Sequence, residues 1–376
     1  MRSSIKIPVS RPKITNFDAN AVAKAVKSTF IGGGPLISRL ENKIAHYCGR
    51  KYGVCVANGT QALYIALKSL DLPKGSKILV PSFTIISALF AIYQCGYDPV
   101  FVDVNEKTWN VDIRKVELAL SQHVDAALLV ETYASSPPMS HIVNMLKKHN
   151  IPVIEDSAEG FGGSYNGKKF GSFGDVSILS LYVNKLITTG EGGVVLTDSD
   201  SLYTKICLLR NLFFDKERSF IHRELSGNSR ITNYQAALGL SQFKRIDKFY
   251  NYRKYLYERY LDLLKEYKEY IKFQYIPYNI ESSYWVFPIL LQKKSGYTAT
   301  QFLSELNKKN IEARHFFYPL DKQPFLSSDK GINSSVSYHL WLYGLYIPMG
   351  NGIHEEEVIK TVQEVKNILL KREKEG

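Results

Sequence analysis

Phe173-Gly174-Asp175-Val176-Ser177-Ile178-Leu179-Ser180-Leu181-Tyr182-Val183-Asn184-Lys185, followed after one residue by Ile187-Thr188-Thr189-Gly190-Glu191-Gly192-Gly193, is the stretch on which the reading of this chain turns. An apolar run of strand type ends in a loop with one lysine among small and hydroxyl residues. A glycine-rich turn then leads into a second apolar run. A lysine taken at random is a solvated surface group. Lys185 instead lies between two runs of buried type, where desolvation lowers the pKa of an amine and frees it to condense with a carbonyl.

Working outward, short apolar runs alternate with amphipathic ones from Gly53 to Asp198, the pattern of a largely parallel sheet with helices on its faces. The pattern predicts strands at 53–57, 77–80, 99–104, 126–131, 152–155, 176–181 and 193–197, and helices at 60–70, 84–95, 112–122 and 139–149. A Tyr- and Lys-rich helical stretch is expected over 242–270. After it come strand-like runs at 284–291 and 311–318, a helix at 298–309 and a last helix at 355–372. The expected division is a large α/β domain over 1–245 and a smaller α+β domain over 246–376, with the N-terminal residues free to pack on the smaller one.

Two further sites fall at strand ends within this pattern. In Ala57-Asn58-Gly59-Thr60 a strand turns directly into a helix. Free N–H groups at the helix start, a glycine allowing close approach and a threonine hydroxyl make a phosphate cup, although strand–Gly–helix turns are also common packing devices. Glu155-Asp156-Ser157-Ala158-Glu159 follows a strand at the edge where open α/β sheets place ligands. Asp156 has no convergent His or carboxylate spacing for a metal, and suits the protonated nitrogen of a pyridine ring.

Composition bounds the alternatives. The 376 residues are 45% hydrophobic, and no apolar run approaches the roughly 20 residues that cross a bilayer. Residues 1–14 lack the apolar core and cleavage site of a secretory leader, so a soluble, cytoplasmic protein with no membrane association is expected. Cys48, Cys55, Cys95 and Cys207 fall singly and read as reduced core residues rather than zinc ligands. The net charge of +12 is scattered and accompanied by no nucleic-acid motif, so it reads as a lysine-rich solvated surface.

The run from Gly174 to Gly193 resembles the active-site segment of the DegT/DnrJ/EryC1/StrS family of sugar aminotransferases. Similar segments occur in family order at 56–63, 80–84, 99–103, 155–159 and 228–237. The resemblance implies fold-type I architecture with pyridoxal 5'-phosphate as cofactor. It assigns Lys185 to the Schiff-base lysine, Asp156 to the pyridine nitrogen and Glu159 to the phenolic oxygen. Gly59, Thr60 and Ser180 correspond to the phosphate cup. Asn228 corresponds to a residue that reaches the phosphate of the neighbouring subunit, which implies a homodimer with shared sites. Glu159, Asn184 and the run Ile311-Glu312-Ala313-Arg314-His315-Phe316-Phe317-Tyr318-Pro319 are most similar to the perosamine synthases of the family.

The implied reaction is a ping-pong transamination from an amino acid, glutamate by analogy, to a nucleotide-linked 4-keto-6-deoxy sugar. It would supply an amino sugar for an O-antigen type of glycan. Arg314, His315, Phe317 and Tyr318 are candidate substrate contacts, with domain packing as the alternative for that strand. Trp285 and Tyr284 read as core. Two departures stand out: Ile85 replaces an aromatic ring common in the family, and residues 131–138 replace a His-Leu-Tyr-Gly-like stretch. Two other readings remain, a sugar dehydratase of the same family and a non-catalytic regulator. The resembling dehydratases carry His in place of the lysine, so Lys185 argues against the first.

Overall fold

A computed structural model describes residues 7–214, 220–326 and 334–371. The elements are α1 (Asn16–Lys27), α2 (Pro35–Tyr47), β1 (Tyr52–Val56), α3 (Gly59–Ser69), β2 (Lys77–Pro81), α4 (Ser87–Gln94), β3 (Asp98–Val102), α5 (Ile113–Ala119), β4 (Ala126–Val130), α6 (Met139–Lys148) and β5 (Val153–Asp156). Next come β6 (Ser164–Tyr165), β7 (Lys168–Lys169), β8 (Val176–Ser180), β9 (Gly193–Thr197), α7 (Asp200–Arg210), α8 (Asn233–Phe243) and α9 (Ile246–Leu264). The chain ends with β10 (Ile271–Phe273), β11 (Ile280–Glu281), β12 (Phe287–Leu291), α10 (Ala299–Lys308), β13 (Arg314–His315), α11 (Ser335–Tyr343), β14 (Gly344–Ile347) and α12 (Glu355–Lys371).

The main sheet has the order β1-β9-β8-β5-β4-β2-β3. Its strands all run in one direction except β9, which is antiparallel to both β1 and β8. Its central strands are buried along their whole length, β4 and β8 without exception. That is why they read as continuous apolar runs rather than alternating ones. One face packs on α3 and α4 through Leu63, Ile65, Ala88 and Ile92, and the other on α5 and α6 through Val116, Ile142 and Leu146. Because the parallel strands all end on the same edge, Asn58, Thr84, Asp156 and Ser180 arrive there together.

A second sheet, β10-β12-β14-β13, is antiparallel throughout and packs on α9, α10 and α12. Ile7 pairs with Ile311 beside it, the Val9 N–H is held by Glu312 and the Val9 carbonyl by Met349, so the first described residues lie on this sheet. An aromatic cluster of Phe83, Trp109, Tyr133, Trp285, Phe316 and Tyr346 packs together where the two sheets approach.

The structure departs from the sequence expectation in specific places. The stretch 242–270 is two helices, because the chain turns at Lys244-Arg245 and the Arg245 guanidinium reaches back to Asp18 of α1. The run 311–318 pairs only at β13, since Phe316 turns inward to the aromatic cluster. The run 284–291 becomes a strand only from Phe287. Helices α1, α2, α7 and α11 and strand β14 were not anticipated. Arg372, the expected last helical residue, lies outside the described residues, as do Met1 to Lys6.

Candidate active site

β8 ends at Ser180 and the chain returns into β9 at Gly193, so the intervening loop leaves and re-enters the sheet at the same edge. It is closed by Leu181 N–H to Gly192 O at 2.9 Å and Thr189 N–H to Leu181 O at 3.0 Å, and Lys185 N–H donates to Tyr182 O at 2.9 Å. Asp156 ends the neighbouring strand, its Oδ1 accepting the Ala158 N–H at 3.0 Å. Glu159, one turn further on, accepts the Tyr133 N–H at 2.8 Å. Tyr133 holds that amide in place with a left-handed backbone (φ 61°), a strained state of the kind found at ligand sites.

Asp156 and Glu159 line one cavity of about 450 Å³ together with Asn58, Gly59, Thr60, Ser180 and Lys185. The Lys185 Nζ lies 3.6 Å from the centroid of the Trp285 ring. Burial lowers the affinity of the Lys185 amine for a proton, while Glu159 and Asp156 oppose that effect and Arg253 adds to it. Burial likewise pushes the Asp156 carboxyl up to about 6, against the Ala158 N–H and Lys185. Glu159 is raised for the same leading reason. An amine with a weakened hold on its proton, next to carboxylates lacking a full set of donors, is prepared for a reacting carbonyl and a cationic ligand atom.

The profile of the DegT/DnrJ/EryC1/StrS aminotransferase family matches residues 12–366. The chain belongs to this family. It is 30% identical over 366 residues to the GDP-perosamine synthase of Caulobacter vibrioides, covering 97% of this chain and 99% of that one. With the GDP-perosamine synthase of Escherichia coli O157:H7 it shares 32% over 364 residues, 96% of this chain and 97% of the other. In architecture it is similar to the aminotransferase TlmJ of Streptoalloteichus hindustanus, with a TM-score of 0.90 over 96% of this chain and 98% of that one at 21% identity. The architecture is that of the family's α/β aminotransferases, and the cofactor is pyridoxal phosphate.

The residues present fit that cofactor. The first N–H groups of α3 have no acceptor within the helix, Asn58 caps the helix by accepting the Gln61 N–H at 2.9 Å, and the Thr60 hydroxyl meets Ser87 at 2.9 Å. A Cβ on Gly59 would fill the space against Ser180, at 3.3 Å from its Cβ. This is a cradle for a small anion with hydroxyls at its rim. Asp156 Oδ2 has no protein donor among the described residues, which suits a protonated ring nitrogen.

The structure brings Gly59, Thr60, Asp156, Glu159, Ser180, Lys185, Arg314 and Phe317 to this cavity. His315 and Tyr318 are not among its lining residues. His315 meets Thr300 at 2.9 Å and stacks on Trp341, and Tyr318 meets the same indole edge-on, which is the packing alternative for that strand. Asn228 lines a separate, larger cavity of about 850 Å³ with Arg210, Asn211 and Arg230, and the next residue, Ser229, accepts the Ala57 N–H at 2.8 Å and donates to Gln61 at 2.9 Å. Trp285, expected in the core, is buried but also forms the wall against the lysine. Ile85 does line the cavity, with an exposed aliphatic side chain.

In the departing loop, Thr132 and Ala134 donate their N–H groups to Asn110 and Gln274, and Glu131 is enclosed, its carboxyl raised by burial and by Glu155. Arg253 escaped the sequence reading altogether. Its signal was a charged residue in the apolar register Phe249, Leu256, Tyr257, Tyr260.

Proposed function

We propose that this aminotransferase transfers an amino group from an amino acid, glutamate, to the keto carbon of a nucleotide-linked 4-keto-6-deoxy sugar, as a GDP-perosamine synthase does. The observation that carries the reading is the convergence of the Lys185 amine, the Asp156 and Glu159 carboxyls and the start of α3 on one cavity. The likeness to two perosamine synthases over nearly the whole chain supports the sugar class.

Lys185 is the residue that holds the cofactor covalently at rest and, once displaced, moves the proton as base and then acid. Asp156 would keep the ring nitrogen protonated, and Glu159 would face the phenolic oxygen. Gly59, Thr60 and Ser180 receive the phosphate, with Asn228 of the partner subunit completing it in a homodimer. Bound there, pyridoxal phosphate supplies the electron sink that lets an amino group leave one carbon and join another. Arg314 and Phe317 at the cavity wall are the substrate contacts we favour, Arg314 for the acidic nucleotide. Trp285 and the aromatic cluster behind it exclude water from the amine. Division into domains at 245/246 is supported by the separate cores of the two sheets. A cytoplasmic setting and an O-antigen type of product complete the proposal.

Borohydride reduction of the loaded protein followed by peptide mapping is expected to find the cofactor on Lys185; label on another lysine ends the assignment. Mass spectrometry of reactions with glutamate and a panel of GDP- and dTDP-linked keto sugars is expected to give the GDP-linked amino sugar. Amination of dTDP sugars alone overturns the substrate, and loss of water without amination favours the dehydratase.

A further inference from the structure

Arg253 stands on the buried face of α9 and is 1% exposed. A guanidinium enclosed in this way is costly unless a carboxylate or a full set of acceptors meets it. No carboxylate pairs with it among the described residues. Burial alone pushes the group down to about 9. Its donors go to neutral oxygens: Nη2 to the carbonyls of Asn184 at 3.1 Å and Lys185 at 2.8 Å, Nη1 to that of Trp285 at 3.4 Å, and Nε to Asn351 Oδ1 at 2.8 Å. Asn351 in turn donates to the Leu186 carbonyl at 2.7 Å. Three consecutive carbonyls, those of 184, 185 and 186, are therefore fixed by one buried pair of side chains. The Trp285 segment whose ring touches the lysine amine is tied to the same guanidinium.

If the pair served packing alone, an apolar side chain or a neutralising carboxylate would do as well at less desolvation cost. An uncompensated cation behind the loop does something neither could do. We propose that Arg253 and Asn351 are positioning residues of the transamination: they lock the Lys185 loop through its carbonyls and set a positive charge directly behind the backbone of that lysine. The inference rests on Lys185 being the cofactor lysine.

The other charged groups acting directly on that amine are Asp156 from β5 and Glu159 from the turn after it, and both favour the protonated form. Glu191, Tyr182, Arg314 and Tyr346 line the same cavity. Burial and Arg253 stand on one side of the balance and the two carboxylates on the other.

The test uses the cofactor-free protein and reads the rate of covalent loading with pyridoxal phosphate against pH, since the neutral amine is the reacting form. Arg253→Gln, which keeps two donors and loses the charge, is expected to move the midpoint of that profile to higher pH. Arg253→Lys keeps a charge and loses the fork. It should hold the midpoint and slow loading several-fold at every pH. Asn351→Asp places a carboxylate against the guanidinium and should raise the midpoint as Arg253→Gln does. It decides the matter if Arg253→Gln does not fold, with thermal melting reporting which variants do. A folded Arg253→Gln or Asn351→Asp that loads at Lys185 with an unshifted midpoint overturns the inference and leaves the proposed function standing. Peptide mapping of cofactor to a different lysine overturns the function itself.

Discussion

Asp156 ends its strand fully enclosed, with one amide N–H as its donor. A neutral amide in its place cannot hold a proton on a ring nitrogen, so Asp156→Asn is expected to lower kcat by several orders of magnitude with circular dichroism unchanged, each ~1.4 kcal/mol of lost stabilisation costing about tenfold. Near-normal turnover would remove Asp156 from the mechanism. The same burial makes a prediction about pH. The folded carboxyl titrates near 6 against an ordinary 3.8, so its share of stability is intact below about pH 4 and is lost as pH rises through 6. In the cofactor-free protein that loss amounts to roughly 3 kcal/mol at most. Carboxylates such as Asp18, whose burial is outweighed by hydrogen bonds from Arg245, Ser241 and Thr15 together, act with the opposite sign, so the measurement is differential. The melting temperature of Asp156→Asn minus that of the unmodified protein should grow from pH 4 to pH 7, and a constant difference refutes the burial argument.

At this scale, the gathering of Lys185, Asp156, Glu159 and the Gly59-Thr60 turn on one cavity was legible because each follows a strand with an unusual neighbour set. Arg253 and Trp285 were not. Their roles depend on which backbone atoms meet them across the fold, and no local spacing encodes that.

The turn from β1 into α3 is packed directly against the first residue of β9. A Cβ on Gly193 would stand 2.5 Å from the Asn58 carbonyl oxygen and 3.0 Å from the Gly59 nitrogen. Gly193→Ala must therefore push the turn away and carry the helix start with it. We expect a loss of about 1–3 kcal/mol in melting experiments and about tenfold weaker pyridoxal phosphate retention by fluorescence titration. An unchanged melting temperature and affinity would show that the turn is not rigid.

The seven strands of the main sheet were readable as short apolar runs bounded by turns. α1 offered a signal that went unread, the Thr15–Asp18 capping box in which Thr15 N–H meets Asp18 at 2.8 Å. α11 and β14 offered none. The helix passes into the strand without a loop residue, through an aromatic-rich run lacking either period. The change occurs at Gly344, where a side chain would collide with the Phe316 ring and the Leu340 carbonyl.

At the scale of the whole molecule, Asn228 lines a different cavity from Lys185, although its neighbour Ser229 accepts the Ala57 N–H at 2.8 Å beside the proposed phosphate site. In the homodimer proposed above, Asn228 would complete the phosphate site of the partner subunit. Asn228→Ala is then expected to weaken cofactor retention ten- to a hundredfold, about the worth of a charge-assisted hydrogen bond. Mixing inactive Lys185→Ala chains with Asn228→Ala chains should restore partial activity, because one site of each mixed dimer has both residues intact. A monomer by light scattering, or no recovery after demonstrated chain exchange, would sink the shared site.

The placing of β9 between β1 and β8 also has a consequence for biosynthesis. Tyr52 pairs with Thr197 and Val56 with Gly193, so the first strand to leave the ribosome has no sheet partner until β9 follows it. At ordinary elongation rates of ~5–20 residues per second that wait is on the order of ten seconds or more. Throughout it the nascent Gly53-Val54-Cys55-Val56 segment keeps an open strand edge available to other chains. The strand on whose end the proposed phosphate cup stands is thus among the last to be locked, and shielding of the emerging N-terminal half by chaperones bears directly on how much of the polypeptide reaches the native state.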